Sequence, residues 1–177
     1  MRLLFEIDTK EYKADGTVTR RPSSRGIIVC DGLLTMVYSR KYDYYKFAGG
    51  GIEPDETAEQ ALIREVREEI GQNVLPESIA PFGYVHRVQK GWHEDIFVQD
   101  NFYFFCRTDS VNAVQSLDDY EAEEGFTLRY VSAQEVLETN RHHTHGAKEE
   151  DIQFPVMLER DNCVIEMVKA EYPLLLR

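Results

Sequence analysis

Apolar residues fall in short blocks along most of the chain, and the period within each block separates strands from helices. Residues 3–7 alternate as a short strand, and Ala14-Asp15-Gly16-Thr17 carries hairpin-turn chemistry ahead of a second strand around Val18. Residues 20–25 are too polar and interrupted for a core strand and read as a solvated loop. Residues 26–30 and 33–38 flank Asp31-Gly32, a strong two-residue hairpin signal. Residues 40–47 mix tyrosine with basic side chains, and taken as structure alone they form a half-exposed strand. Residues 79–88 and 96–106 read as two strands, and Phe102-Tyr103-Phe104-Phe105 suits a central strand covered on both sides. Residues 118–125 read as an acidic loop and 126–131 as a further strand. Ser132 is placed to cap a helix through Glu138, and residues 140–146 read as a histidine-bearing loop. Residues 151–170 have helical spacing, with Pro155 near the start, where proline is tolerated. Strands, a helix, more strands and a last helix define an α+β chain. Without repeat or linker, residues 1–177 read as one domain.

The pattern centres on a helix near residues 58–70, which follows Gly49-Gly50-Gly51 and carries Glu65, Glu68 and Glu69. At about 100° per residue, Glu68 lies about 60° to one side of Glu65 and Glu69 about 40° to the other. Ala58 and Ala61 fall in the same arc, so no large side chain crowds it. Leu62, Ile63, Val66 and Ile70 form the neighbouring stripe, which is expected to be buried. Like charges three and four residues apart weaken a helix. One reading is a solvated acidic face, with Glu56, Glu59 and Arg67 as ordinary surface charge. The other is a place for a cation.

Charge narrows the choice of partner. A formal net charge of −12 opposes non-specific nucleic-acid binding and docking on anionic membranes. An anionic substrate then requires metal ions or locally placed Arg and Lys. Cys30, Cys106 and Cys163 lie far apart in apolar surroundings, so buried, reduced thiols are expected rather than disulfides or a zinc site. His142-x-x-His145 has metal-compatible spacing but no evident third ligand. No stretch approaches transmembrane length, and a cytoplasmic enzyme, monomeric or homodimeric, is the expectation.

Residues 50–72 resemble the Nudix box, G-x5-E-x7-R-E-U-x-E-E-x-G-U, where U is a bulky apolar residue. Gly50, Glu56, Arg64, Glu65, Val66, Glu68, Glu69 and Gly71 fill its defined places; Gln72 departs at the last, with Val74 available to take over its packing. The resemblance implies the Nudix fold, a mixed β-sheet between α-helices. It also implies hydrolysis of a nucleoside diphosphate linked to another moiety, with Mg²⁺ or Mn²⁺ held by Glu65, Glu68, Glu69 and the carbonyl of Gly50. Arg64 would brace Glu56, and Glu65 would also orient the attacking water. The general base in many relatives comes from a later loop, which offers Glu121, Glu123 and Glu124; Glu124 is the expectation. Arg25, Lys46 and Arg87 are candidates to bind a small nucleotide substrate, Lys46 within an aromatic and basic stretch suited to stacking a base. His86 and Lys90 are weaker candidates. Two rivals are an isopentenyl-diphosphate isomerase, for which Cys106 is a conceivable counterpart, and a non-catalytic nucleotide sensor. The markers of substrate subgroups outside the box do not match here.

Overall fold

The computed structural model describes residues 1–109 and 114–176. In chain order the elements are β1 (Leu3–Asp8), β2 (Val18–Arg20), β3 (Ser23–Cys30), β4 (Leu33–Ser39), β5 (Tyr44–Lys46), α1 (Ala58–Ile70), β6 (Ala80–Gln89), β7 (Ile96–Cys106), α2 (Asp119–Glu124), β8 (Phe126–Val131), α3 (Ala133–His142) and α4 (Phe154–Glu171). The strands form a mixed sheet in the order β1-β6-β7-β3-β4-β5, with β2 beside β7 and β8 beside β4. Two antiparallel pairings, β6–β7 and β3–β4, are joined by the parallel pairing of β3 with β7. Asp31 and Gly32 both have positive φ, 50° and 81°, as the tight β3–β4 turn requires. The Phe102–Phe105 run lies at the sheet's centre, in a strand paired on both sides.

Helices cover both faces. Leu62, Val66 and Ile70 of α1 pack on Ile28, Val37, Phe104 and Cys106. On the other face Val136 of α3 and Val164, Ile165 and Val168 of α4 meet Ile27, Leu34, Met36 and Tyr103. The expected sheet between helices is therefore the observed architecture. Ile63 is only partly buried, and Ala61 takes its place in the buried stripe of α1.

Several local expectations give way to long-range pairing. Residues 14–17 do not close a hairpin between β1 and β2. β1 instead runs parallel to β6, and β2 parallel to β7. The long β6–β7 hairpin offers each short strand a free edge, and Asp95 fastens the β2 end by accepting from the Thr17 N–H and hydroxyl at 2.9 and 3.1 Å. Residues 23–25 are strand, not loop, and Ser23 and Ser24 are fully buried. Ser23 donates to Asn101 of β7 at 2.8 Å, and the Ser24 N–H donates to the Gly50 carbonyl at 2.9 Å, while the Ser24 hydroxyl is without a partner among the described residues. Residues 44–46 form a wholly buried strand rather than a half-exposed one. Residues 119–124 form a helix, and α3 runs on to His142. All three cysteines are free, but Cys30 is exposed and Cys163 half-buried, so only Cys106 is the expected buried thiol.

Candidate active site

The glycine turn exists because the chain there lies against two other elements. Gly49 has φ 137°, and a Cβ on it would come within 2.1 Å of the Ser24 carbonyl. A Cβ on Gly50 would meet the Glu65 carboxylate at 2.4 Å. The turn is thereby pressed between β3 and the Glu65 carboxylate of α1. Helix α1 begins at a capping box, in which Thr57 accepts from Gln60 N–H and Gln60 accepts from Thr57 N–H, and it stops at Gly71 in the left-handed conformation. Gln72 is buried and fully used, donating to Tyr130 and accepting from Thr108, both at 2.7 Å. Val74 packs in the core beside it.

Each acidic group of the box is met by a cation of the protein. Arg64 forks onto Glu56 at 2.7 and 2.8 Å, which holds the Glu56 carboxyl below the usual carboxylate range. Its Nη1 also reaches Glu65 at 2.8 Å and Glu68 at 3.1 Å. Glu69 does not share their surroundings. It is 1% exposed, takes Lys46 Nζ at 2.5 Å and accepts the Gly49 N–H at 2.7 Å. The expected single arc of three carboxylates thus divides: Glu65 and Glu68 line an acidic cavity of about 460 Å³, while Glu69 ties α1 to β5 beneath it. Among the described residues no three carboxylate, histidine or cysteine side chains stand close enough to hold a metal ion as placed.

The Gly50 carbonyl, expected as a metal ligand, is engaged by the protein itself. It accepts the Ser24 N–H at 2.9 Å and so turns onto β3. The Gly49 carbonyl instead takes the Arg25 guanidinium, and that of Gly51 takes Arg64 at 3.0 Å. Glu124, the expected base, lines the adjoining cavity instead of the acidic one. Its carboxylate accepts from Ser39 at 3.1 Å, Tyr44 at 2.7 Å and Lys148 at 2.9 Å. Glu121, one turn earlier, lines the acidic cavity with Glu65, Glu68 and Asp118. Burial, and then the Glu69 charge, pushes the Glu121 carboxyl above its ordinary value. Glu123 is exposed and paired with Lys41.

A second cavity, of about 290 Å³, adjoins the first and shares Arg21 with it. Arg25, Lys46 and Arg87, on three different strands, all line it, joined by Lys148 and Arg160. Tyr120, Phe126, Phe97 and Trp92 supply aromatic walls. Sequence reasoning missed Arg160 and Lys148. The available signal was Arg160-Asp161-Asn162, three consecutive polar residues in mid-helix between apolar turns, and all three are buried.

Other candidates disperse. His86 pairs with Asp100 at 2.7 Å, and Lys90 is exposed on the β6–β7 turn. His142 is exposed, while His145 is buried with both ring nitrogens on backbone carbonyls, of Tyr42 at 2.9 Å and Asn140 at 3.4 Å. Cys106 lies in the core, where burial pushes its thiol up to about 12, and it lines neither cavity. It is no counterpart of an isomerase cysteine.

A mixed sheet between helices, with a glycine turn feeding an Arg-Glu-x-x-Glu-Glu helix at its edge, defines a known class. Residues 20–150 match the NUDIX domain family, and the chain belongs to that family. A nucleoside triphosphatase NudI from Escherichia coli is 32% identical over 69 residues, 39% of this chain and 49% of the relative. The NudI of Escherichia fergusonii is 29% identical over 82 residues, 46% of this chain and 58% of the relative. The chain thus spans about half the length of these relatives. Among solved structures, a NUDIX hydrolase from Nitrosomonas europaea superposes with a TM-score of 0.57 at 18% identity, covering 90% of this chain and 97% of that one. A MutT NUDIX hydrolase from Burkholderia pseudomallei gives 0.52 at 16% identity, covering 80% and 97%. These structures share the fold.

Proposed function

We propose that the protein hydrolyses a phosphoric anhydride of a small nucleotide with the help of a divalent cation. The observation that carries this is an acidic cavity lined by Glu65, Glu68 and Glu121 opening beside a basic one lined by Arg25, Lys46 and Arg87. The donor set fits a hard cation, because it is all oxygen: the carboxylates of Glu65, Glu68 and Glu69 and the carbonyl of Gly49. Arg64, Lys46 and Arg25 now lie on these four donors, as positive charges where a cation would go. When bound, Mg²⁺ or Mn²⁺ would neutralise phosphoryl oxygens and make water more acidic.

The chain's own side chains do the rest. Lys46 and Arg25, facing the basic cavity, neutralise phosphate oxygens of the substrate. Glu121, a buried carboxylate of raised proton affinity, receives the proton of the attacking water. Arg64 and Glu56 hold the turn and α1 in register. The aromatic walls receive the base, and the likeness to nucleoside triphosphatases makes a nucleoside triphosphate the first substrate to try.

The test is phosphate release from nucleoside triphosphates, nucleotide sugars and dinucleoside polyphosphates, with Mg²⁺, with Mn²⁺ and with EDTA. Turnover of at least one class with metal and none in EDTA is expected. Undiminished turnover in EDTA, or none for any class, would sink the proposal.

A further inference from the structure

Arg87 on β6, Arg160 on α4 and Arg25 on β3 converge on the wall of the basic cavity, and the trio is short of negative charge. Arg160 and Arg87 are 1% and 3% exposed. Asp161 is the carboxylate at their centre, and it is heavily engaged. It accepts from Arg160 Nε at 2.9 Å, Tyr103 at 2.7 Å and the Phe47 N–H at 3.3 Å. Arg160 Nη1 donates to the neutral Asn101 amide oxygen at 2.6 Å. Arg87 donates to Gln89 Oε1 at 2.6 Å and to the Gln153 carbonyl at 3.1 Å, both neutral. Arg160 Nη2 lies 2.8 Å from Asp161 Oδ1, which is therefore its counter-ion, while Arg25 Nε is buried without a hydrogen-bond acceptor among the described residues.

A buried cation without a counter-ion is costly, and a guanidinium cannot escape by losing its proton at neutral pH. Burial, with Arg160 and Arg25 alongside, pushes Arg87 down to about 9. The fold alone accommodates the charge poorly, because the hydrogen-bond acceptors of Arg87 are both neutral. The cavity in front of the cluster is where a balancing anion can enter.

We propose that this wall is an anion subsite, in which Arg87, flanked by Arg25 and Arg160, receives a phosphoryl group of the ligand. None of the three lines the acidic cavity, so the group bound here is distinct from one seated among the box carboxylates. The consequence is a substrate class: compounds with a further phosphoryl group beyond the one attacked, such as nucleoside triphosphates, over a diphosphate joined to a neutral sugar. Only that consequence rests on the hydrolase reading; the binding itself is measurable without turnover.

The experiment is thermal denaturation of the full chain in EDTA at constant ionic strength. The additives are inorganic pyrophosphate, a nucleoside 5′-monophosphate and the uncharged nucleoside. At a hundredfold excess over Kd, an anion is expected to raise Tm by about 5 °C or more, and the nucleoside is not. A shift with pyrophosphate alone assigns the subsite to an inorganic leaving group, and one with the monophosphate alone to the nucleotide half. Arg87→Met should melt higher than wild type without additive, because a buried unpaired cation is gone, and should lose most of the anion shift. Arg87→Lys keeps a charge but not the fork, and should retain only part of the shift, which carries the test should the Met variant not fold. Lys10→Ala, on the exposed surface, should behave as wild type. Indifference of the wild-type Tm to both anions would overturn the proposal. So would an equal shift by the nucleoside, or a full anion shift in both Arg87 variants.

Discussion

Glu121 and Glu124 differ by one helical turn, and their neighbours hold them differently. Glu124 is fixed by three donors, Ser39, Tyr44 and Lys148. Glu121 receives the Asp118 N–H at 3.0 Å and the Tyr120 hydroxyl at 2.9 Å, and it faces Glu65 and Glu68 across the cavity. Glu121→Gln is therefore expected to lower kcat by a factor of about 10² or more with the fold kept. Glu124→Gln should cost chiefly stability. Steady-state kinetics beside urea unfolding separates the two, and the reverse pattern would return the base to Glu124. The box carboxylates divide in the same way. Glu69 and Lys46 are a buried pair, and removing one charge strands the other, so Glu69→Gln should cost about 3 kcal/mol or more. Glu68 is 39% exposed at its side chain, and its link to Arg64 is screened; Glu68→Gln should stay within about 0.5 kcal/mol of wild type. Charge repulsion along the helix alone would make both substitutions stabilising. Arg64 and Lys46 are the reason it does not decide the sign.

At the scale of elements, α1 is the part whose position matters most, and local chemistry fixes both of its ends. Thr57→Ala removes the cap acceptor for Gln60 N–H and should cost about 1 kcal/mol, read from urea midpoints, while leaving metal affinity unchanged. Gly50→Ala acts on the turn instead. Its methyl would sit 2.4 Å from the Glu65 carboxylate, so turnover and metal affinity should fall together, out of proportion to any loss of stability. Wild-type metal affinity in that variant would show that Glu65 has room to shift. Helix α2 shows a signal that was present and passed over. Asp118 and Glu121 form a reciprocal capping box and Gly125, at φ 68°, ends the helix, yet the density of acidic residues reads as loop. A six-residue helix has too few turns for apolar period to reveal it, and end signals are then the better guide.

At the scale of the whole molecule, Asp161 ties α4 to β7 and to the residue that follows β5, through Arg160, Tyr103 and the Phe47 N–H. Burial would raise its carboxyl, but Arg160 and Arg25 outweigh it and hold it below the ordinary value. A carboxyl whose folded pKa is lowered stabilises the fold above its unfolded pKa of about 3.9, and this contribution is lost as pH falls through the folded value. Asp161→Asn should therefore lose about 3–5 kcal/mol at neutral pH, since Arg160 and Arg25 then face each other unpaired. Its stability should also fall less steeply than wild type below about pH 4. Unfolding free energies across pH 2–7 for both proteins check this, and parallel curves would remove Asp161 from the account.

What the chain determined by itself were the features set by short-range sterics and period. The Asp31-Gly32 hairpin needs positive φ at two neighbours, α1 is written in its apolar stripe and glycine stop, and β7 in an unbroken aromatic run. The Nudix box follows from the same kind of information, because its turn and helix are contiguous. Only the tertiary structure decided the rest. β1 and β2 choose parallel neighbours far along the chain, and buried polar Ser23 and Ser24 become strand because Asn101 and the glycine turn receive them. It also decided which glutamate of α2 faces Glu65, and that arginines at 25, 87 and 160 share one wall. Those outcomes depend on which charges and hydrogen-bond partners meet across the sheet, and no local period along the chain encodes that meeting.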